Sequence, residues 1–183
     1  MAATVQRQYP GVTWWCPQLP PSPRQAMREV LEKIAPWPNS ARLGSMAVVG
    51  SSLGGFYATW IAENMRCKAV LLNPAVDPAR DLASHIGQQT AWQNPADRFE
   101  FKAEYITELQ QLETGSLASP ADYLTLVAKG DEVLDWREMA GRYKATRLHV
   151  LEGGDHALSD FDRHLPLILE FLDLDQRPLR DIA

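Results

Sequence analysis

Four short apolar runs, separated by segments with helical spacing, constrain the fold of this chain more than any other feature. The runs are Ser45–Gly50, Lys68–Leu72, Tyr123–Ala128 and Leu148–Leu151. Runs that are apolar almost throughout, and not only at every second position, are typical of strands buried on both faces of a parallel sheet. Because helical segments alternate with these strands, we predict an α/β fold, with a mostly parallel sheet and helices on both faces.

Helical spacing predicts three main helices. The first begins after a capping serine, Ser22, has Pro23 at its first position, and carries apolar residues at positions 27, 30, 31 and 34. The second covers Gly54–Met65 and has small residues along one face. The third lies near the end of the chain, where Leu165–Leu172 has an apolar face and a proline in its first turn.

Two segments do not belong to this alternation. Val12–Cys16 is β-branched and aromatic, which predicts a further short strand. The stretch from about residue 77 to 119 is polar, has no strand pattern and becomes helical from Phe101 to Leu112. We interpret this stretch as a cap-like excursion within a single domain that spans residues 1–183. Its Trp92, Phe99 and Phe101 either line an apolar slot or pack as ordinary core residues.

The composition restricts the classes of partner. The chain has 183 residues, a net charge of −5 and 18 scattered basic residues, which argues against nucleic acid because phosphates are bound by clustered Lys and Arg. There is no signal-peptide pattern and no apolar stretch long enough for a membrane span, so we expect no membrane partner and a cytoplasmic location. Cys16 and Cys67 form no framework of disulfides, and we interpret both as small buried residues.

The first chemical signal is the pentapeptide Gly50-Ser51-Ser52-Leu53-Gly54, which matches G-x-S-x-G. An apolar strand precedes it and a helix with a small-residue face follows it, and this context lifts the central serine clear of a sheet. Ser52 is therefore a candidate nucleophile, and the backbone amide of Leu53 is a candidate oxyanion donor. The alternative for the same residues is a glycine-rich turn that binds a phosphate or packs tightly.

A serine hydroxyl needs a base, and His156 is the best candidate among the four histidines. It lies in the loop Gly153–Ala157, directly after a predicted strand and before the last helix. Loops at the carboxyl ends of strands are where open α/β sheets place their sites. His85, His149 and His164 lie in the excursion, inside a strand pattern and at a helix start, where histidines are more often structural.

The base needs an acid that orients it, and Asp131 is favoured. It follows the strand Tyr123–Ala128 and a turn glycine, with Glu132 and Asp135 as nearby competitors. Asp155 is adjacent to His156 and is expected to shape the loop. The resulting chain order is Ser, Asp, His, as in α/β hydrolases.

At this point the sequence resembles a known family, the YqiA-like esterases, which are small bacterial α/β hydrolases. The resemblance implies an α/β-hydrolase fold and hydrolysis of carboxylic esters with short-to-medium acyl groups, or of acyl-CoA thioesters, with neither a cofactor nor a metal. The family's serine, aspartate and histidine fall on Ser52, Asp131 and His156. The segments that carry the resemblance are Pro17–Pro23, Val49–Trp60, Leu72–Val76, Gly130–Asp135 and Glu152–Ala157.

One part of the family pattern lies before Met1. Proteins that look like this open with an apolar strand beside the nucleophile's strand, which ends in a His-Gly-Phe type turn and supplies a second oxyanion amide. Here the chain resembles the family only from the following helix onwards, so we expect a shortened N-terminus and a native product that begins earlier. Since the loss of one oxyanion donor costs roughly 10²–10³ in rate, a hydrolase-like protein that binds without efficient turnover is the alternative function.

Overall fold

A parallel sheet with helices on both faces forms the framework of a computed structural model that describes residues 1–37, 46–90 and 98–174. The strands are β1 (Ala47–Ser51), β2 (Lys68–Leu72), β3 (Gly87–Thr90), β4 (Arg98–Phe101), β5 (Tyr123–Ala128) and β6 (Arg147–Leu151). The α-helices are α1 (Ala2–Gln8), α2 (Pro23–Ile34), α3 (Leu53–Met65), α4 (Pro78–Asp81), α5 (Ala103–Gln111), α6 (Trp136–Arg142) and α7 (Leu165–Leu172).

The four predicted apolar runs form the main sheet, in the order β1-β2-β5-β6, and every pair is parallel. All six residues of β5 are buried, as expected for a strand covered on both faces. Because parallel strands run in the same direction, the carboxyl ends of all four strands meet at one edge of the sheet. The loops that follow β1, β2, β5 and β6 therefore gather at this edge.

Two apolar cores cover the two faces of the sheet. Neighbouring residues of β2 alternate between them: Leu71 belongs to the core that includes residues of α2, α3 and α5, whereas Val70 belongs to the core that includes residues of α1 and α7. The predicted face of α2 is buried, and Ser22 caps this helix by accepting a hydrogen bond from the amide of Gln25 at 3.2 Å. The predicted helices on both faces are thus confirmed.

Two sequence predictions about strands are wrong. Val12–Cys16 is irregular and forms no strand; Val12 and Trp14 pack against the core, whereas Trp15 and Cys16 are exposed. The polar excursion, for which no strand was predicted, contains the antiparallel pair β3 and β4. These strands have four residues each and are largely exposed on one face, so their apolar alternation is too short to detect.

One residue that the sequence predicted to be buried is exposed. Cys67 is buried, but Cys16 is exposed, contrary to the prediction. Phe101 is 7% exposed and packs edge-on against Tyr105, so it is an ordinary core residue, and Phe99 packs against the same core. Trp92 lies outside the described residues.

The outer edge of β1 pairs with no strand in the part of the chain that the structure describes. An apolar groove of about 320 Å³ lies beside this edge, between β1, the irregular segment and the helices α2 and α3. The expectation of a strand before Met1 stays a prediction. Among the described helices, none is both long and apolar enough to cross a membrane.

Candidate active site

Ser52 occupies a sharp turn between a strand and a helix. β1 ends at Ser51 and α3 begins at Leu53, so one residue makes the whole change of direction, with φ 53° and ψ −124°. The backbone of Ser52 is held on both sides: its amide donates to the carbonyl of Leu72, and its carbonyl accepts from the amide of Ala75, each at 3.0 Å. A serine at positive φ is strained, and such strain is typical of functional turns.

Glycine is required at position 50 for this turn to close. A Cβ atom there would overlap the carbonyl oxygen of Gly54, because the first turn of α3 passes directly over the end of β1. The backbone atom in the way cannot rotate aside as a side chain could. The first glycine of the pentapeptide therefore has a steric role, and it places the start of α3 next to Ser52.

Leu53 is the first residue of α3, so its amide is among those that have no acceptor within the helix. The amides at a helix N-terminus carry partial positive charge, which favours an anion placed there. The predicted oxyanion donor is thus directly adjacent to Ser52. Its contact with an oxyanion stays a prediction.

The structure brings His156 and Asp131 together, although 25 residues separate them in the chain. The His156 Nδ1 atom lies 2.8 Å from one carboxylate oxygen of Asp131 and 3.0 Å from the other. The Asp131 side chain is fully buried, and its Oδ1 also accepts hydrogen bonds from the amides of Val133 and Leu134, both at 2.8 Å. The carboxylate is therefore fixed, and it can hold the imidazole with Nδ1 protonated and Nε2 free to accept a proton.

The two loops that carry these residues are joined through their backbones. The amide of Gly130 donates to the carbonyl of Gly153 at 3.0 Å, and the amide of Lys129 donates to that of Leu151 at 3.0 Å. A Cβ atom at Gly130 would overlap the carbonyl oxygen of Gly154. Close backbone contact between the two loops is thus what sets the distance between Asp131 and His156.

The three acidic neighbours have other partners. Glu132 Oε2 accepts a hydrogen bond from the backbone amide of His156 at 3.0 Å, so it contacts the backbone of that residue and leaves the ring to Asp131. Asp135 caps α6 by accepting from the amide of Arg137. Asp155 accepts from the amide of Ser159 at 2.8 Å, and hydrogen bonds from Ser159 lower the pKa of its carboxyl group.

No hydrogen bond joins the Ser52 hydroxyl to the His156 ring within the described residues. The two residues are nevertheless linked through two consecutive residues at the end of β2, Leu72 and Asn73. The amide of Ser52 binds the carbonyl of Leu72, and the next residue, Asn73, donates its side-chain amide to the carbonyl of His156 at 3.1 Å. Contacts between nucleophile and base are often long without substrate and tighten in the reacting complex.

The other histidines have separate positions. His85 lies in a 3₁₀ turn near β3, His149 lies in β6, and His164 precedes α7 with its Nε2 atom 3.4 Å from Asp160. No group of three or more metal-binding side chains is gathered anywhere in the described residues. The expectation that the protein needs no cofactor stays a prediction.

A model of the uncharacterised protein family UPF0227 matches residues 1–173, nearly the whole chain. This chain belongs to that family. The resemblance to the YqiA-like group, predicted from the sequence segments, is therefore confirmed.

The UPF0227 chain also matches solved structures. Alpha/beta hydrolase domain-containing protein 10 from mouse has a TM-score of 0.60 and 19% identity, over 84% of this chain and 69% of its own. The esterase domain of a Rhodothermus marinus protein has a TM-score of 0.56 and is 17% identical, and the match covers 85% of this chain and 69% of that domain. Est1E from Butyrivibrio proteoclasticus, a structure with bound ferulic acid, has a TM-score of 0.55 and is 16% identical, and the match covers 82% of this chain and 66% of Est1E. The chain thus spans about two thirds of each neighbour, and the likeness confirms the α/β-hydrolase fold.

Proposed function

We propose that this UPF0227 protein is a serine hydrolase that cleaves carboxylic esters through an acyl-enzyme. The observation that carries the proposal is the 2.8 Å contact between His156 Nδ1 and the buried carboxylate of Asp131. This pair lies at the same edge of the sheet as Ser52, a serine held at positive φ on a strand-to-helix turn. A strained serine, an oriented imidazole and a helix N-terminus are the parts that acyl transfer needs.

In the proposed first step, His156 Nε2 removes the proton from Ser52 as its Oγ attacks the ester carbonyl carbon. The carbonyl oxygen becomes an oxyanion that the Leu53 amide stabilises, while Asp131 stabilises the protonated imidazole. The intermediate then collapses, the bond to the alcohol oxygen breaks, and His156 returns its proton to the leaving alcohol. This leaves the acyl group on Ser52.

In the second step, His156 removes a proton from water, which attacks the acyl-enzyme. Collapse of the second intermediate releases the carboxylic acid and restores the Ser52 hydroxyl. No atom in either step requires a cofactor or a metal, so the proposed enzyme works with protein groups alone.

The cap-like excursion is proposed to cover the site and to limit the acyl group. A cavity of about 210 Å³ lies beside α3, and it is lined both by apolar side chains, such as Phe56 and Val76, and by charged ones, Asp77, Glu113 and Arg142. Phe56 is one turn after Ser52, and its amide donates to the Ser52 carbonyl at 3.3 Å. The substrate class we expect is an ester with a short-to-medium acyl group.

Two serine variants test the proposal. Ser52→Ala removes the nucleophile and is expected to lower the kcat for p-nitrophenyl acetate by at least about 10⁴-fold. Ser51→Ala is the matched control, since Ser51 is the adjacent exposed residue at the end of β1. The kcat of this variant should equal that of the wild type. Hydrolysis retained by Ser52→Ala would exclude Ser52 as the nucleophile.

A second candidate function is a hydrolase-like protein that binds a ligand without turnover. The missing hydrogen bond between Ser52 and the His156 ring favours it. A fluorophosphonate probe separates the two, because only an activated serine is labelled at a useful rate. Labelling of the wild type but not of Ser52→Ala supports the enzyme, and the relative rates with p-nitrophenyl esters and acyl-CoA then distinguish an esterase from a thioesterase.

A further inference from the structure

Asn73 is a fully buried polar residue at the centre of the site, and the proposed reaction does not use it. It follows the last residue of β2, has no exposed surface and adopts a left-handed backbone with φ 41°. A buried carboxamide is costly unless its donors and acceptor are all paired. The partners of this side chain therefore indicate why an amide is present here.

The Asn73 side chain uses both of its ends. Its Oδ1 accepts a hydrogen bond from the amide of Ala128 at 2.8 Å, and its Nδ2 donates to the carbonyls of Asp155 at 3.0 Å and His156 at 3.1 Å. The partners lie 55, 82 and 83 residues further along the chain. Three strand ends are thus connected by one side chain.

These contacts complete the support of the His156 backbone. The amide of His156 donates to Glu132, and its carbonyl accepts from Asn73, so both polar groups of its peptide backbone are held. Ala128 is the last residue of β5 and precedes the loop that carries Asp131. Asn73 therefore contacts the loop of the histidine and the strand end that leads to the acid.

We propose that Asn73 is a positioning residue that holds the loop of His156 against the end of β5, so that the imidazole faces Asp131. Asparagine suits the position for two reasons. It is among the residues that tolerate positive φ, and it has an acceptor and two donors on one planar group. An aspartate has the same shape and tolerates the same backbone, but its carboxylate can only accept, so it would repel the two loop carbonyls.

Three variants test this role. Asn73→Asp keeps the acceptor for Ala128 and loses both donors, whereas Asn73→Gly removes the whole side chain without straining the left-handed backbone. Asn64→Asp is the matched control, because Asn64 also donates its Nδ2 to a backbone carbonyl, that of Trp60, but on the exposed face of α3. The control should have the wild-type kcat and the wild-type distance between His156 and Asp131.

The kinetic measurement rests on the proposed function. We expect both Asn73 variants to lower kcat by about 10²-fold with little change in KM, because a shift of about 1 Å in a catalytic group costs this much. The rate is expressed per folded molecule, with the folded fraction taken from circular dichroism, so that a loss of folded protein is not counted. A residue that only stabilises the fold would lower the yield and Tm but leave kcat per folded molecule unchanged, and that result would overturn the proposal.

Crystal structures of the variants test the same role without catalysis. The distance between His156 Nδ1 and Asp131, 2.8 Å in the parent, should exceed hydrogen-bond range in at least Asn73→Asp. A distance that stays at its present value in both variants would refute the positioning role, whether or not the protein hydrolyses esters. Inactive wild-type protein would instead refute the proposed function and leave the structural comparison decisive for Asn73.

Discussion

Replacing Gly130 with alanine tests whether backbone contact between two loops sets the geometry of the site. A Cβ atom built at Gly130 would lie 2.2 Å from the carbonyl oxygen of Gly154. Real Cβ atoms essentially never approach another atom closer than 3.0 Å, so the two loops must separate by at least 0.8 Å. The neighbouring hydrogen bond from the Gly130 amide to the Gly153 carbonyl, now 3.0 Å long, would stretch as well.

The two loops carry Asp131 and His156, and this determines the expected loss of activity. Asp131 is the residue after Gly130, and His156 is two residues after Gly154, so a separation of nearly 1 Å is passed to the contact between them. Displacement on this scale lowers kcat by about 10²-fold. Forcing an extra methyl group into a filled space costs about 1–3 kcal/mol of unfolding free energy.

The assay compares Gly130→Ala with Gly141→Ala. A Cβ atom at Gly141, within α6, meets nothing within 4 Å. Alanine there should stabilise the protein by about 0.5–1 kcal/mol, since it is the better helix former, and leave kcat unchanged. Urea unfolding measures the free energy of unfolding, and hydrolysis of p-nitrophenyl acetate measures kcat. Equal stability and equal activity of the two variants would refute the steric reasoning.

Two further predictions concern stability. Ser52→Gly should abolish hydrolysis but raise the free energy of unfolding, measured by urea titration, by about 1 kcal/mol. The gain in stability is expected because glycine relieves the strain of positive φ at this turn. A variant less stable than the wild type would contradict the assigned strain. The pKa of Tyr123 is raised by burial and then by the hydrogen bond of its hydroxyl to Glu63. As the pH rises, the unfolded chain therefore loses this proton at a lower pH than the folded protein does. The free energy of unfolding that this tyrosine contributes is present below its ordinary pKa of about 10 and should fall as the pH rises above that value. Tyr123→Phe should show a shallower fall in unfolding free energy between neutral and alkaline pH, and an identical slope would count against the assignment.

Local sequence was sufficient to predict the main sheet because a strand buried on both faces must be apolar along its whole length. Lys68–Leu72 and Tyr123–Ala128 coincide with β2 and β5 for this reason. The pair β3 and β4 was missed because strands of four residues, largely exposed on one face, carry too little periodicity. Val12–Cys16 has strand composition but no strand partner among the described residues, and pairing is a property of neighbours.

The candidate site divides in the same way. The pentapeptide around Ser52 predicted a tight turn, because a strand, two glycines and a helix leave few other conformations. Sequence also favoured Asp131 over Glu132 and Asp135, but the choice of a partner for the His156 ring is made in space, where loops 25 residues apart meet.

Asn73 illustrates the limit most clearly. In the sequence it is only a residue that ends a strand before a proline, and nothing near it in the chain indicates its three partners, which lie 55 to 83 residues away. The sequence by itself determined which segments are strands and which residue types can do chemistry, since burial and turn geometry act over a few residues. Only the tertiary structure decided which of those residues touch, because the packing of the sheet brings the strand ends together.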